Sequence, residues 1–256
     1  MAFLSDYPFD SYDVTPVEQG VRLHAFILRD EWDDCREEAL AAVKPYGEVV
    51  EERTMEDENW NEAWERDGFE RVDIDGRMVV RAPHHEAPAK DVIDIVVAPR
   101  MAFGSGHHHT SRMMCRAIMR LTPAEGNILD VGCGTGILSL AALRCGARSA
   151  VAVDIDEWSV ESARDAARLN GVEERMEVLH GTVESVAGRV FDMVLANINR
   201  NTILADMDKY AAALRHDGIL LLSGFLAEDV PSVEAMARKY GIDVVAQQSE
   251  EGGICL

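Results

Sequence analysis

The sequence contains 256 residues, 47% of them hydrophobic, and its 25 basic and 46 acidic side chains give a formal net charge of −21 at pH 7. A chain of this length and composition can bury a real core and form one large or two modest domains. So large an acidic excess would repel a phosphate backbone, which argues against nucleic acid as a direct partner and favours a basic protein or peptide.

The first hundred residues alternate short strand-like and helix-like segments. VRLHAFIL (21–28) predicts a strand, and DEWDDCREEALAAV (30–43) predicts a helix because its apolar residues recur at spacings of three and four. YGEVVEE (46–52) predicts a further strand, and DENWNEAWERDG predicts a helix with Trp60 and Trp64 on one face. Two strand-like runs, FERVDI and RMVVRAP, then flank an aspartate-glycine turn.

The composition changes around HHEAPAK, where two prolines mark a linker, and strands and helices alternate strictly in the second half. Predicted strands are NILDVG, SAVAVDID, RMEVLHG, VFDMVLANI, GILLLSGF and IDVVAQQ. Predicted helices between them are GILSLAALRCG, EWSVESARDAARLNG, NTILADMDKYAAALRHDG and VPSVEAMARKYG. This alternation indicates a doubly wound, mostly parallel Rossmann-like α/β sheet, preceded by a small α+β domain. The predicted divisions are a first domain over 1–82, a linker over 83–98 and the α/β domain over 99–256.

The segment DVGCGTG lies at the turn between the first strand and the first helix of the α/β domain. In such a sheet the ligand binds outside the carboxyl ends of the strands, at this kind of turn. The glycines at 132, 134 and 136 allow the backbone to approach a ligand closely. A dinucleotide-binding G-x-G-x-x-G motif counted from Gly132 would require a glycine where the chain has Ile137, so a dinucleotide is disfavoured.

Two acidic residues narrow the choice of nucleotide. Asp130 precedes the glycines, where a carboxylate would disfavour a pyrophosphate but would pair with a cationic amino acid group. Asp154 ends the second strand, from which a carboxylate can accept hydrogen bonds from both ribose hydroxyls. Together they favour S-adenosylmethionine. The next acid, Asp156, we interpret as a helix N-cap.

Three segments, MAFGSGHHHTSRMM, DVGCGTGILSLAAL and VLANINRNTI, resemble the class I S-adenosylmethionine-dependent methyltransferases. Within that class they are similar to the family that methylates the eleventh protein of the large ribosomal subunit. NWNEAW and RAPHHEAP are similar to the linker region of that family. The resemblance covers most of the chain, and FGSGHHHTS distinguishes this family from other methyltransferases. It implies a protein N-methyltransferase that acts on N-terminal and lysine amines of a basic ribosomal protein.

The resemblance also assigns site residues. It places Thr110, Ser111, Gly132 and Asp154 at the cofactor, and Asn197 beside the reacting methyl group. Two departures accompany it: Ser111 stands where the family usually has threonine, and the first domain, which presents the protein substrate, is shortened at its start. The candidate cofactor-binding residues are Phe103, Thr110, Ser111, Asp130, Gly132, Gly134, Gly136, Asp154 and Asn197, and the candidate catalytic residue is Asn197.

Three consecutive histidines, His107, His108 and His109, suggest a metal at first sight. Adjacent rings point in different directions in any regular conformation, so they could not easily close one site, and we expect no metal. We interpret FGSGHHHTS as a mobile loop over the methyl donor, with a structural loop as the alternative. Trp60 and Trp64 we interpret as packing or hinge anchors.

Hydropathy and cysteine content indicate where the protein is located, and alternative functions are also open. No apolar run approaches the roughly eighteen residues of a membrane span, and MAFLSDYPFD lacks the order of a signal peptide. Five cysteines without a C-x-x-C pair favour reduced thiols, so we expect a soluble, cytoplasmic protein. The alternatives are a small-molecule methyltransferase and a truncated, non-catalytic cofactor-binding protein. The acidic surface could also serve solubility alone.

Overall fold

The computed structural model describes residues 11–17, 20–27, 29–47, 49–53, 70–98, 106–250 and 252–256. Contacts divide the chain into two compact units, Met1–Asn59 and Trp60–Leu256. The predicted tryptophan helix, with Trp60 and Trp64, lies outside the described residues.

The first unit contains a hairpin and a helix. Strands β1 (Ser11–Val17) and β2 (Gly20–Phe26) pair antiparallel, and helix α1 (Arg29–Val43) follows. Strand β2 and helix α1 confirm the predicted strand and helix. The strand predicted over 46–52 is wrong, because the described residues of that segment form a turn and an extended stretch with Val50 exposed. No strand among the described residues of this unit pairs with it.

The second unit opens with a three-stranded sheet. Strands β3 (Val72–Ile74) and β4 (Met78–Arg81) form a hairpin, and β5 (Ile93–Val96) pairs parallel to β4. Asp75 and Gly76, the predicted turn, both have positive φ angles, 56° and 65°. Arg77 N donates a hydrogen bond to Ile74 O (3.1 Å) that closes the turn, and three residues separate the paired Ile74 and Met78, so the predicted turn is confirmed.

This small sheet packs into the core of the second unit. Met78 and Ile95 are fully buried in the same cluster as Met114, which lies in the helix His109–Leu121. At the outer edge of β5, the side chain of Asn170 accepts a hydrogen bond from Val96 N (3.1 Å) and donates one to Val96 O (2.6 Å). The segments expected to end the first domain and to form a linker therefore contribute strands to the second unit, because their apolar side chains are buried there.

A seven-stranded sheet forms the centre of the second unit. Its strands are β6 (Asn127–Val131), β7 (Ser149–Asp154), β8 (Met176–His180), β9 (Phe191–Asn197), β10 (Leu214–Leu226), β11 (Gln248–Glu250) and β12 (Gly253–Cys255). They lie in the order β11-β12-β10-β9-β6-β7-β8, and β12 runs antiparallel to both of its neighbours. The pairs from β10 through β8 are parallel, which confirms the predicted mostly parallel α/β sheet.

Helices cover both faces of this sheet. In the described part of the unit they are α2 (His109–Leu121), α3 (Ile137–Arg144), α4 (Glu157–Leu169), α5 (Arg200–Ala213) and α6 (Val230–Lys239). Alternate strand residues face different cores: Ile128 packs with residues of α2, α3 and α4, whereas Leu129 packs with residues of α5 and α6. The sheet is therefore doubly wound, as predicted.

Three boundaries in this unit differ from the prediction. The helix predicted to continue through RHDG ends at Ala213, and β10 begins at once with Leu214. The strand predicted over 242–248 is wrong: residues 242–247 have no regular structure, and the place beside β10 is taken by β12. The histidine segment predicted as a loop continues directly into helix α2.

Candidate active site

A cleft of about 660 Å³ opens where the parallel strands end. Five of the predicted site residues line it: Thr110, Gly132, Gly134, Asp154 and Asn197. The predicted residue Phe103 lies outside the described residues. The carboxyl ends of β6, β7 and β9 therefore bring together residues that are far apart in the sequence, as expected at a topological switch point.

The glycine turn after β6 requires glycine for two different reasons. Gly132 and Gly134 have φ angles of 68° and 53°, in the left-handed region that favours glycine. A Cβ on Gly132 would also lie under 3.0 Å from Cγ2 of Ile198. The backbone at this turn is consequently bare and open to the cleft.

Gly136 contributes to helix packing and does not line the cleft. It precedes α3 with a φ angle of 78°, and it does not belong to the cleft lining. A Cβ there would lie 2.7 Å from Cε of Met176 and 3.3 Å from Cβ of Ala163. The third glycine of the motif thus allows helix α3 to pack closely against α4 and β8.

The carboxylate of Asp154 is held by the backbone at the end of β7. Its Oδ2 accepts a hydrogen bond from Gly134 N (2.9 Å), and its Oδ1 accepts one from Asp156 N (3.0 Å). An ionised carboxylate can accept about four hydrogen bonds, so both oxygens retain capacity for donors in the cleft. The geometry fits a carboxylate that is oriented in advance for two neighbouring hydroxyl groups.

Asp156 caps helix α4, as predicted. Its carboxylate accepts hydrogen bonds from Ser159 N (2.9 Å), Ser159 Oγ (2.8 Å) and Trp158 N (3.4 Å). The hydrogen bond from the Ser159 hydroxyl is the largest cause that lowers the pKa of Asp156. Two neighbouring acids therefore have separate tasks: Asp154 faces the cleft and Asp156 starts the helix.

Asp130 lies beneath the glycine turn and is completely buried. Its Oδ2 accepts hydrogen bonds from Ser139 N (3.0 Å) and Ser139 Oγ (2.8 Å), whereas Oδ1 has no hydrogen-bond partner among the described residues. Burial raises the pKa of Asp130 to about 6, and the bonds from Ser139 partly offset that effect. Asp130 is not part of the cleft lining. Its pairing with a cationic group of the ligand remains a prediction.

The raised pKa of Asp130 predicts a pH effect on stability. An acid whose pKa rises from 3.8 to about 6 on folding binds its proton more tightly in the folded state, so its ionisation destabilises the fold as the pH increases from about 4 to above 6. The cost at pH 7 is on the order of 3 kcal/mol. In Asp130→Asn, which cannot ionise, the free energy of unfolding should rise relative to the wild type across this pH range.

Urea unfolding of both proteins at pH 4, 5.5 and 7, without added ligand, measures this difference. The variant keeps an oxygen that can accept the bond from Ser139 N, so the comparison isolates the charge. A difference between the two proteins that stays constant with pH would contradict the prediction.

The start of helix α2 contributes two buried hydroxyl groups. His108 is the N-cap of this helix, and its Nδ1 lies 2.7 Å from Oγ1 of Thr110. Thr110 lines the cleft, and the neighbouring Ser111 Oγ accepts a hydrogen bond from Nδ2 of Asn197 (3.4 Å). The structure therefore brings the histidine segment and the end of β9 together, as the resemblance implied.

Asn197 is the last residue of β9 and pairs in register with Ser223 of β10. Because its amide donates to Ser111 through Nδ2, its Oδ1 is the atom presented as an acceptor. Asn199, two residues later, caps α5 by accepting a hydrogen bond from Thr202 N (3.0 Å). The asparagine in the strand and the asparagine in the turn thus have different roles.

Several residues of the cleft lining were not predicted. Thr182 follows β8, and Gly224 and Phe225 belong to β10. The rule that parallel strands end at one edge could have indicated all three, since both strands were predicted. Gly253 of β12 could not have been indicated in this way, because the sequence did not predict the antiparallel hairpin that carries it.

Within the described ranges, no group of three or more histidine, cysteine, aspartate or glutamate side chains is arranged to hold a metal ion. The rings of His108 and His109 instead stack at 4.1 Å between centroids. No helix in the described part of the chain is both long enough and apolar enough to cross a bilayer.

The strand order, the bare glycine turn after β6 and the oriented carboxylate of Asp154 define the class of protein. They fit a nucleoside that carries a cationic amino acid, and the class is that of the Rossmann-like S-adenosylmethionine-dependent methyltransferases. The model of the ribosomal protein L11 methyltransferase family (PrmA) matches residues 6–256. The chain belongs to this family. Its fold, family and cofactor are therefore those predicted from the sequence.

Individual relatives agree with this assignment. The ribosomal protein L11 methyltransferase of Porphyromonas gingivalis is 37% identical over 201 residues, which cover 78% of this chain and 69% of the relative. The ribosomal protein L11 methyltransferase of Phocaeicola vulgatus is 33% identical over 248 residues, which cover 95% of this chain and 86% of the relative. The crystal structure of a ribosomal protein L11 methylase from Lactobacillus delbrueckii subsp. bulgaricus matches with a TM-score of 0.67 and 25% identity, covering 73% of this chain and 96% of that one.

A more distant structure shares the fold alone. The 16S rRNA N2 G1207 methyltransferase of T. thermophilus, solved with AdoMet and guanosine, has a TM-score of 0.50 at 22% identity and covers 62% of this chain and 45% of its own.

Proposed function

We propose that this protein transfers methyl groups from S-adenosylmethionine to N-terminal and lysine amines of ribosomal protein L11. The relatives named above support the substrate. The observation that carries the chemistry is the position of Asn197 at the cleft, where Ser111 orients its amide so that Oδ1 can accept a hydrogen bond. In this proposal Asp154 and the glycine turn bind the cofactor, and Asn197 aligns the amine.

Different residues of the cleft contact different parts of the cofactor in this proposal. Asp154 accepts hydrogen bonds from the two ribose hydroxyls, and the bare backbone at Gly132 and Gly134 approaches the amino acid part closely. Thr110 lines the cleft from helix α2, and the buried Ser111 next to it acts through its hydrogen bond with Asn197. When bound, the cofactor supplies an electrophilic methyl group on a positively charged sulfur.

Transfer requires a neutral, aligned amine. The nitrogen lone pair forms the new C–N bond while the C–S bond breaks, and the electron pair of that bond stays on sulfur. Positive charge thereby moves from sulfur to nitrogen, and a proton must leave to water before the next transfer. Asn197 Oδ1, by accepting an N–H bond, would point the lone pair at the methyl group, so positioning is its contribution.

The two kinds of amine differ in how readily they become neutral. A lysine with a pKa near 10.4 is neutral in about one molecule in a thousand at pH 7.4, which costs roughly 4 kcal/mol. An α-amino group with a pKa of about 7.7 to 8.0 costs less than about 1 kcal/mol. We therefore expect the N-terminal amine to react more readily, and lysines to depend more on desolvation in the cleft.

The partner in this proposal is a basic ribosomal protein, with no direct contact to nucleic acid, and the reaction takes place in the cytoplasm.

The test of the proposed function is incubation with methyl-labelled S-adenosylmethionine and either L11, a ribosomal protein extract or a small-molecule extract. Label on the amines of L11, located by mass spectrometry, supports the proposal. Label only on small molecules would favour a small-molecule methyltransferase, and binding without turnover would favour a non-catalytic cofactor-binding protein. Either result would contradict the proposal.

The net charge of −21 predicts that capture of L11 weakens as salt is added. Attraction between an acidic enzyme and a basic substrate acts over a Debye length of about 8 Å at physiological ionic strength and about 3 Å at 1 M. With the cofactor saturating, kcat/KM for L11 should fall severalfold or more between low and high salt. A flat profile would show that the acidic surface serves solubility alone.

A further inference from the structure

The C-terminal hairpin, formed by β11 and β12, reaches the cofactor cleft. Gly253, the first residue of β12, lines the cleft together with His109 and Thr110 from the first turn of α2. Thr110 carries one of the two hydroxyl groups that the start of α2 brings to the candidate site, and Ser111 carries the other. The last strand of the chain thus forms part of the wall against which α2 is set.

Strand β12 is firmly attached to the sheet. Leu256 and Leu222 exchange two backbone hydrogen bonds, of 3.0 and 2.9 Å. Ser223, which is buried in β10, donates a hydrogen bond from Oγ to the carbonyl oxygen of Ile254 (2.6 Å). The position of β12 is therefore fixed by its bonds to β10.

Gly253 has no conformational reason to be glycine. It lies in a strand and is not among the residues with a positive φ angle, and glycine in a strand interior is otherwise weakening. A Cβ at this position would lie under 3.0 Å from Nε2 of His109 and 3.1 Å from Cγ2 of Thr110. A side chain at this position would therefore have to displace the His109 ring or the first turn of α2.

Ion pairs hold the same helix to β11. The Glu250 carboxylate accepts a hydrogen bond from Arg112 Nη2 (2.7 Å) and pairs with Arg116, which in turn binds Asp75 (2.9 Å). Glu250, Arg112 and Arg116 are only 22 to 27% exposed. The hydrogen bond from Arg112 is the largest cause that lowers the pKa of Glu250. The hairpin therefore contacts α2 both at its first turn and further along its length.

We propose that the C-terminal hairpin positions the first turn of α2 for cofactor binding: Gly253 leaves the space that His109 and Thr110 occupy, and Glu250 fixes the helix through Arg112 and Arg116. Gly253 is a positioning residue, since it acts through the residues of α2. The inference rests on the proposed function, because the cleft is taken to be the S-adenosylmethionine site.

The first test is Gly253→Ala, with binding of S-adenosylmethionine measured by calorimetry. We expect an affinity roughly ten- to a hundredfold weaker, because the added methyl group would move His109 and Thr110 away from the positions that they take at the cleft. Gly47→Ala is the matched control, because Gly47 also lacks a positive φ angle and a Cβ there would meet nothing within 4 Å. The control should bind as the wild type does.

A double-mutant cycle with His109→Ala separates positioning from general destabilisation. Removing the imidazole creates room for the added methyl group, so Gly253→Ala should cost about twofold or less in the His109→Ala background. Equal losses in both backgrounds, or wild-type affinity in Gly253→Ala, would overturn the inference. Wild-type protein that fails to bind the cofactor would instead reject the proposed function.

Glu250→Gln tests the second contact. It keeps the size of the side chain but removes the charge that pairs with Arg112 and Arg116, and we expect a severalfold loss of cofactor affinity. A melting temperature that falls while cofactor affinity is unchanged would assign Glu250 to stability alone and overturn its positioning role.

Discussion

Asp154→Ala is expected to weaken the binding of S-adenosylmethionine by roughly a hundredfold or more. The variant loses two hydrogen bonds to the ribose, which are charge-assisted and worth on the order of 1.5 to 3 kcal/mol each before compensation. It also leaves Gly134 N without the hydrogen bond that it donates to Asp154 Oδ2 (2.9 Å) in the folded protein. The glycine turn would then be held to β7 only by the backbone bonds that Gly132 N and Cys133 N donate to Val153 O (2.9 and 3.1 Å), so the effect should exceed that of the ribose bonds alone. Calorimetry with purified protein gives the affinity directly.

Two variants control for other causes. Asp154→Asn retains one oxygen acceptor and should lose less affinity than the alanine variant. Asp156→Ala removes the cap of α4 and should lower the free energy of unfolding by about 0.5 to 2 kcal/mol, while cofactor affinity stays near the wild-type value. Unchanged affinity in Asp154→Ala would remove this carboxylate from the cofactor site.

Asn197→Ala is expected to slow single-turnover methylation of L11 roughly ten- to a thousandfold while cofactor affinity remains close to wild type. An orienting contact near the reacting atoms contributes about this much when it is lost. The basis is the Ser111–Asn197 hydrogen bond, which fixes the amide so that Oδ1 can meet the incoming amine. Rapid-quench measurements at saturating cofactor separate the chemical step from binding.

The aspartate variant tests the same contact in another way. In Asn197→Asp, a carboxylate would stabilise the protonated amine and raise the pKa of that amine, which opposes the deprotonation that transfer needs. Its pH-rate profile should therefore shift to higher pH. Near-normal turnover in Asn197→Ala, with intact folding, would mean that Asn197 only completes the turn after β9.

The parts of the fold that the sequence predicted are those with regular local patterns. β6 through β9, and the helices between them, have continuous apolar runs and amphipathic helices of standard length, and the loop DVGCGTG occurs where two such elements meet. Asp154 could be placed because it ends a recognisable strand. Since these signals are local, the sequence placed Gly132, Gly134 and Asp154 at the edge of the sheet where the structure has the cleft.

The parts that were missed depend on contacts between distant segments. Strand β12 pairs antiparallel with β10 and so occupies the position expected for residues 242–248, a choice that no local pattern indicates. The start of α2 follows glycines and histidines, which give little helix signal, and only the cap by His108 shows where the helix begins. Motif spacing also does not tell which way a residue faces: Gly136 and Asp130 belong to the motif, yet neither lines the cleft.

Asn170 occupies the backbone groups of Val96 at the outer edge of β5. Strands at a sheet edge expose unpaired backbone groups, which invite pairing with a second chain. At Val96 the amide of Asn170 takes both the donor and the acceptor, much as a neighbouring peptide group would. The same amide also donates to Ala166 O (2.7 Å), so it is fixed to the end of helix α4 and cannot swing away. A single side chain thereby prevents a strand of a second chain from pairing with the backbone of Val96.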